Sequence, residues 1–431
     1  KKVVVANVVL VGSYLVSVTL FVTSFVSFSE VKRVVLGPFQ FLTLKAVGVT
    51  TYWPNIRTTV AELNVTPLTH VIEQLDGNLM FVLACMGILL CFLRIESEGA
   101  SKESVLRRDI KIPFFLALWL IASLFATTKG VRFILQVTPV MAISLGAFMG
   151  FAWHYASQWI SKELKLNVLL TKIIIFLILC ILLIQPAKSG YSQAFNSVPS
   201  MNDGWYNTLD KINKEVPQNT IITSWWDFGH WFKAIGNRPV TFEGGNQLGY
   251  NAYWVGRSLA TSDEKLSAGI VRMLNCGQNT AFETLQTITT NNPIGRLNNT
   301  YQEIDLLNEI VVLSKVDAQK VLQKKYEFTV EQSEELLKYT HCDAPVDYYI
   351  TSEDMVGKAG VWAHFGTWNF KRAVMYQKTH GLNRDEAVDL LVTHFNLSKD
   401  EADKVHSEIQ TVPADQWISS WPSYLSGIGN C

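Results

Sequence analysis

"VLLTKIIIFLILCILLI", Val168–Ile184, decides the first question about the fold. A run this apolar is either the core of a large globular protein or a helix that crosses a bilayer, which takes roughly 20 residues. Four more such runs stand in the same part of the chain: Val3–Phe28, Leu79–Leu93, Pro113–Thr127 and Phe133–Tyr155. Five in so short a length argue for membrane helices rather than for buried core. The composition agrees. Of 431 residues 48% are hydrophobic and only 17% charged, where soluble proteins carry about 25% charged residues. The charge deficit lies in residues 1–188. The net formal charge is zero, which speaks against nucleic acid as a partner.

The basic residues set the orientation. Arg94, Lys102, Arg107, Arg108 and Lys111 share one connection, Lys162 and Lys165 share another, and the chain begins Lys1–Lys2. If all five stretches span, these regions fall on one side, the cytoplasm. The loop 29–77, the turn Thr127–Arg132 and residues 189–431 are then outside. The chain starts without methionine, and its first helix lacks the small-residue cleavage site of a signal peptide; it reads as truncated at its start. Cys85, Cys91 and Cys180 lie in apolar runs. Cys276, Cys342 and Cys431 lie outside, where a Cys276–Cys342 disulfide is permitted.

Beyond residue 188 the pattern changes. "NTIITS" (Asn219–Ser224), "PVTFE" (Pro239–Glu243) and "VDYYIT" (Val346–Thr351) read as strands. Capping boxes at Thr261/Glu264, Thr329/Gln332 and Ser398/Glu401 open helices. Leu382–Ile409 reads as two helices joined at Asn396–Leu397. The expectation is a multi-pass α-helical membrane domain over residues 1–188, followed by a mixed α/β extracytoplasmic domain over 189–431.

"TSWWDFGHW", Thr223–Trp231, follows the first of these strands. Aromatics at this density suit a core, a membrane-interface belt or a binding pocket. Asp227 favours a pocket, because indole N–H donors and a carboxylate acceptor together suit a hydroxyl, which both donates and accepts.

"WWDFG" resembles the Trp-Trp-Asp-Tyr-Gly signature of the oligosaccharyltransferase catalytic subunit family, with Phe228 in place of Tyr, and the run Trp225–Gln247 is similar to the archaeal branch. Three further stretches carry the resemblance. "TVAE" (Thr59–Glu62) is similar to the family's Thr/Ser-X-X-Glu loop motif, "GVRFILQVTPV" (Gly130–Val140) to the stretch whose arginine holds the lipid phosphate, and "EDMVGKAGVW" (Glu353–Trp362) to the helix flanking the pocket. In the last, Met355 follows the bacterial version and Lys358 the archaeal and eukaryotic one. Taken singly, Glu62 is an ordinary loop acid, Arg132 a snorkelling anchor, and Met355 and Trp362 core residues.

The resemblance implies transfer of an oligosaccharide from a lipid-phosphate or lipid-diphosphate carrier, such as a dolichol, to the asparagine of Asn-X-Ser/Thr, with inversion and with Mn2+ or Mg2+. Its partners are then a lipid-linked oligosaccharide, an acceptor polypeptide and the bilayer, and its place an archaeal cell membrane. Glu62 would contact the acceptor asparagine near the metal, and Arg132 the lipid phosphate. Trp225, Trp226 and Asp227 would bind the sequon hydroxyl, with Met355, Lys358 and Trp362 as the adjoining wall. The family's Asp-X-Asp metal motif is absent. Its nearest counterpart, Glu96–Ser97–Glu98, falls on the cytoplasmic side, so the principal metal ligands are expected in a preceding part. The competing readings are a glycosyltransferase acting on a lipid or sugar, and a non-catalytic membrane receptor or assembly subunit. The chain has sequons of its own at Asn64, Asn298 and Asn396.

Overall fold

The computed structural model describes residues 2–25, 27, 51–93, 111–246, 248–291, 297 and 299–421. Lys1, the connection 94–110 with its basic residues and Glu96/Glu98, the loop residues 29–50, Asn298 and Cys431 lie outside them. The chain divides into two compact units. Unit 1 comprises Lys1–Leu44 and Ala61–Ser197; unit 2 comprises Lys45–Val60 and Val198–Cys431. The change of unit near residue 197 comes after the composition shift at 188, because the helix Ile184–Asn196 continues from the apolar helix Val168–Leu182.

In unit 1 every apolar run is helical: Lys2–Thr23, Gly77–Leu93, Lys111–Thr127, Ile134–Phe151 and Val168–Leu182. Among the described residues two continuous helices, Val131–Leu164 and Val168–Asn196, are long and apolar enough to cross a membrane. The pair Leu68–Gln74 and Gly77–Phe92, bent by 88°, is a third candidate. Ala84, Ile88, Leu116, Leu120, Val137, Val140 and Met141 form the core between three of the helices. Gly87 permits their close approach: a Cβ there would lie 1.9 Å from the Ser144 carbonyl oxygen. Along Val168–Leu182, by contrast, Leu169, Phe176 and Ile181 are exposed. Such a row of apolar side chains suits lipid rather than water.

Unit 2 departs from the mixed α/β expectation. Among its described residues the sheet is two parallel strands, β1 (Ile221–Thr223) and β2 (Asp347–Tyr349), with Ile221 opposite Asp347 and Thr223 opposite Tyr349. The strand expected at Pro239–Glu243 contributes one bridge, Val240 to Ile222. Pro239 has no N–H to donate, Phe242 turns into the core, and Glu243 turns to meet Lys233. Amphipathic helices supply the rest of the core. The capping boxes at Thr329/Gln332 and Ser398/Glu401 are both formed. At Thr261 the expectation fails, because Asp263 caps that helix and accepts from the N–H groups of Lys265 and Leu266. Asn396, in the left-handed region at φ 54°, ends the helix Arg384–Phe395 before Lys399–Thr411 begins.

A Cys276–Cys342 disulfide with Cα atoms 5.8 Å apart ties the end of helix Glu264–Gly277 to the segment after Val330–Thr340. His341 beside it is buried, with Nδ1 2.8 Å from the Thr340 hydroxyl and Nε2 3.2 Å from the Leu313 carbonyl. Burial, and then the nearby Arg272 charge, push its imidazole down to about 4.

Residues 51–60 pack inside unit 2. The Trp53 ring lies 5.0 Å from both Phe282 and Phe370, and the Trp368 indole N–H donates to the Tyr52 carbonyl at 2.9 Å. Gly249 is needed for this approach, since a Cβ there would meet the Pro54 carbonyl oxygen at 2.4 Å.

Candidate functional site

Two parallel neighbours end side by side, and each feeds one motif. β1 leads through Ser224 and Trp225 into the single 3-10 turn Trp226–Phe228 and the helix Gly229–Ala234. β2 leads into the helix Glu353–Gly357 and then Ala359–Gly366. The ends of parallel strands are where such sheets gather ligand-binding residues. Here they bring Asp227 and Lys358, 131 positions apart in the chain, to a 3.0 Å hydrogen-bonded ion pair. Lys358 also reaches Asp354 at 3.3 Å. Burial pulls its ammonium down, but the Asp227 and Asp354 carboxylates outweigh this and leave it above its ordinary value.

The side chains beneath this pair are packed into the core. Trp225 is 1% exposed, stacked against Phe365 with ring centroids 5.8 Å apart and edge-on to Phe242 at 5.3 Å. It underpins the turn from the core. Met355 is buried; its sulfur accepts from the Ser224 hydroxyl at 3.7 Å, and its carbonyl accepts from the Trp362 indole N–H at 2.9 Å. Trp226 is half-buried, and its indole N–H is buried without a hydrogen-bond partner among the described residues. A donor left in this way costs about 1–3 kcal/mol. Phe228, in place of the signature tyrosine, packs against Trp205 at 4.8 Å and Trp231 at 4.7 Å. Gly229 closes the motif because a Cβ there would stand 2.2 Å from the Glu243 Cβ.

Sequence reasoning missed the support beneath the turn. The Glu243 carboxylate, with its side chain 8% exposed, accepts from Lys233 at 3.0 Å and from the Gly245 N–H at 2.8 Å, and lies 3.2 Å from His230 Nδ1. The Gly245 N–H, followed by Lys233 and His230, holds its carboxyl below the usual range against the effect of burial. Asp347, on β2, accepts from Thr223 at 2.7 Å and Asn275 at 2.9 Å, while burial pushes its carboxyl up. The sequence placed Glu243 at the end of the expected strand Pro239–Glu243 and within the run Trp225–Gln247, and neither signals a support for the turn.

Unit 1 carries the other two candidates on adjacent 3-10 turns, Ala61–Leu63 and Val131–Phe133. The Val131 N–H donates to the Asn64 carbonyl at 3.1 Å. A Cβ on Gly130 would lie 2.8 Å from both the Glu62 carbonyl oxygen and the Leu63 Cα. Backbone contact therefore brings Glu62 and Arg132 into neighbouring turns, while both side chains remain exposed.

The sequence and structure together describe a protein with apolar helices suited to a bilayer in one unit and a preformed polar site in the other. Comparison with known proteins gives its class. Residues 1–186 match the model of the oligosaccharyl transferase STT3 N-terminal family, and residues 218–372 match that of the STT3/PglB/AglB core domain. The chain belongs to the family of oligosaccharyltransferase catalytic subunits. It is 30% identical over 426 residues to a dolichyl-phosphooligosaccharide-protein glycotransferase of Methanococcus voltae, covering 83% of this chain and 46% of that protein. To its namesake in Methanocaldococcus jannaschii it is 33% identical over 385 residues, covering 74% and 40%. An undecaprenyl-diphosphooligosaccharide–protein glycotransferase of Campylobacter jejuni is 21% identical over 221 residues, covering 51% and 28%. The chain spans about half the length of the curated relatives it matches most fully.

Proposed function

We propose that this protein transfers an oligosaccharide from a lipid-phosphate or lipid-diphosphate carrier to the asparagine of an Asn-X-Ser/Thr acceptor. The observation that carries the reading is the convergence of the two motifs on the Asp227–Lys358 pair. Asp227 has a second carboxylate oxygen to accept from the sequon hydroxyl, and the Trp226 N–H is a donor in the adjoining residue. Met355 and Trp362 form the wall beside them. Trp225 acts from beneath and holds the turn.

In this reading Glu62 accepts from the acceptor amide N–H groups. That weakens delocalisation into the carbonyl and makes the nitrogen a better nucleophile. Arg132 offers its planar fork to the phosphate oxygens and stabilises the charge that develops on the lipid phosphate as its bond to the sugar carbon breaks. A single displacement inverts the sugar carbon. The family implies Mn2+ or Mg2+, but among the described residues no group of three or more His, Cys, Asp or Glu could hold a metal ion. The residues described here do not fit one, and no step above depends on it. The Cys276–Cys342 disulfide supports placing unit 2 in an oxidising, extracytoplasmic space, consistent with a cytoplasmic position for the basic connections. An archaeal cell membrane is the setting that the relatives favour.

The test compares two enzymes with two peptides. A charge-assisted bond to the hydroxyl is worth about 1.5–3 kcal/mol, or roughly 10- to 150-fold. Asp227→Ala should lower transfer to an Asn-X-Thr peptide by that order and transfer to Asn-X-Ala far less. An unchanged Thr:Ala ratio in the variant would remove the hydroxyl pocket from the reading.

A further inference from the structure

In unit 2 a cavity of about 500 Å³ opens among the helices Gly249–Ala260 and Thr300–Val311 and the turn Gly366–Lys371. It is separate from the Asp227–Lys358 site. Lys358 stands at the start of the helix that Gly366 ends, roughly 12 Å away along it. The volume falls in the range of small-molecule sites. Arg257, Tyr301 and Asn308 are half-buried in its walls, Tyr253 is buried behind them, and Asp305 and Lys371 are exposed at its mouth.

These groups are of opposite kinds. Asp305 only accepts; Arg257 and Lys371 only donate; Asn308 and the two tyrosines do both. Asn308 donates to the Tyr253 hydroxyl at 3.3 Å and to the Ile304 carbonyl at 2.9 Å. Its carbonyl oxygen, like the Arg257 Nε, has no hydrogen-bond partner among the described residues. The lining carries both signs, with Asp305 within the field of Arg257, so a simple anion answers only the donors and a simple cation only the acceptor. A ligand whose every polar group both donates and accepts satisfies both sets, and its C–H faces meet the carbon of the half-buried Tyr301 ring. We propose that this cavity binds a short saccharide. The assignment rests on the cavity's own chemistry and does not require the transfer reaction. The sugar could arrive on a lipid carrier or on an already glycosylated peptide.

The experiment is a binding titration of the whole chain in sugar-free nanodiscs, read by calorimetry and saturation-transfer NMR. The probes are maltose and N,N′-diacetylchitobiose, with inorganic phosphate and putrescine as controls. A disaccharide should bind in the millimolar range, and the two ions should not compete with it. Asp305→Ala, a change at the solvent-exposed mouth, should weaken binding roughly tenfold or more with thermal melting unchanged. Arg257→Gln should do the same, and the exposed position of Asp305 keeps the test valid if Arg257→Gln misfolds. Two further probes, the same disaccharide on an asparagine peptide and on a short polyprenyl phosphate, distinguish the sources by which of them gains affinity through Asp305. The proposal is overturned if neither disaccharide binds, if binding survives Asp305→Ala unchanged, or if phosphate displaces the sugar. Because no turnover is measured, failure here leaves the Asp227 peptide test untouched, and the reverse holds as well.

Discussion

Glu62 and Arg132 in unit 1 and Asp227 and Lys358 in unit 2 are presented in opposite ways. The first two are exposed on short 3-10 turns whose positions are set by backbone contact. The second two are paired with each other, on the 3-10 turn that follows β1 and at the helix start that follows β2, with Trp225 and Met355 packed beneath. The difference suits the different work proposed for them. Discriminating one small hydroxyl needs groups already held in place, because binding energy lost to ordering side chains is lost to selectivity. In the proposed reading Arg132 meets a charged, bulky donor and Glu62 an acceptor amide, and such groups can stay bare until the ligand supplies their partners. The comparison can be broken at either end.

The largest effect is expected where unit 2 is stapled. The Cys276–Cys342 bond closes a loop of sequence separation 66, which in the chain-entropy account is worth about 4 kcal/mol. Replacing both cysteines with serine should lower hydrogen-exchange protection of the helices Glu264–Gly277 and Val330–Thr340 by up to that amount. Unchanged protection would mean that helix packing alone makes unit 2 rigid. Next comes the bare acid. Glu62→Gln should cut transfer by roughly 10²- to 10³-fold, the cost of losing one group aimed at the reacting centre, while acceptor-peptide affinity is retained. Full turnover in this variant would reduce Glu62 to a solvated loop acid.

A pH test of unit 2 follows from His341. Its pKa in the folded state lies near 4, below its unfolded value of roughly 6.5. The unfolded chain therefore binds more protons between these values, and stability is full above the unfolded pKa and is lost as the pH falls toward 4. The loss should be on the order of 2–3 kcal/mol, seen as faster exchange in the Val330–Thr340 helix, and His341→Gln should flatten that acid slope. An equally steep slope in His341→Gln would place the acid sensitivity elsewhere. The smallest effect is at Arg132. Arg132→Lys keeps the charge but loses the fork, and should raise the glycolipid concentration needed for half-maximal rate roughly tenfold with peptide affinity unmoved. Identical glycolipid curves for the two enzymes would leave Arg132 as an interface anchor.

Much of this was legible in the linear chain, and the exceptions share a cause. The five apolar runs became helices because a long run of apolar residues has few ways to satisfy its backbone other than within itself. The capping boxes at Thr329 and Ser398 formed because their partners lie three residues away. At Thr261 a nearer acid, Asp263, took the cap. "PVTFE" failed as a strand because its neighbours, not its propensity, decided: Phe242 had a core to enter and Glu243 had Lys233 to meet. Trp225 and Trp226 are adjacent and chemically identical, yet one is sealed in the core and the other borders the site. Nothing in a Trp-Trp pair separates the two until a strand fixes which side faces in.

The sequence by itself determined what is local: the apolar helices, the change of character after residue 188, the motif residues and the chemistry they are able to perform. Only the tertiary structure decided what is paired. The parallel register of β1 with β2 brought Asp227 to Lys358 across 131 positions, Gly229 admitted the Glu243 support, and the helix crossings opened the cavity beside Arg257. The physical reason is range. Capping and periodicity act over three or four residues and are written in order along the chain, whereas an ion pair between the segments that follow two strands depends on every turn of backbone that lies between its partners.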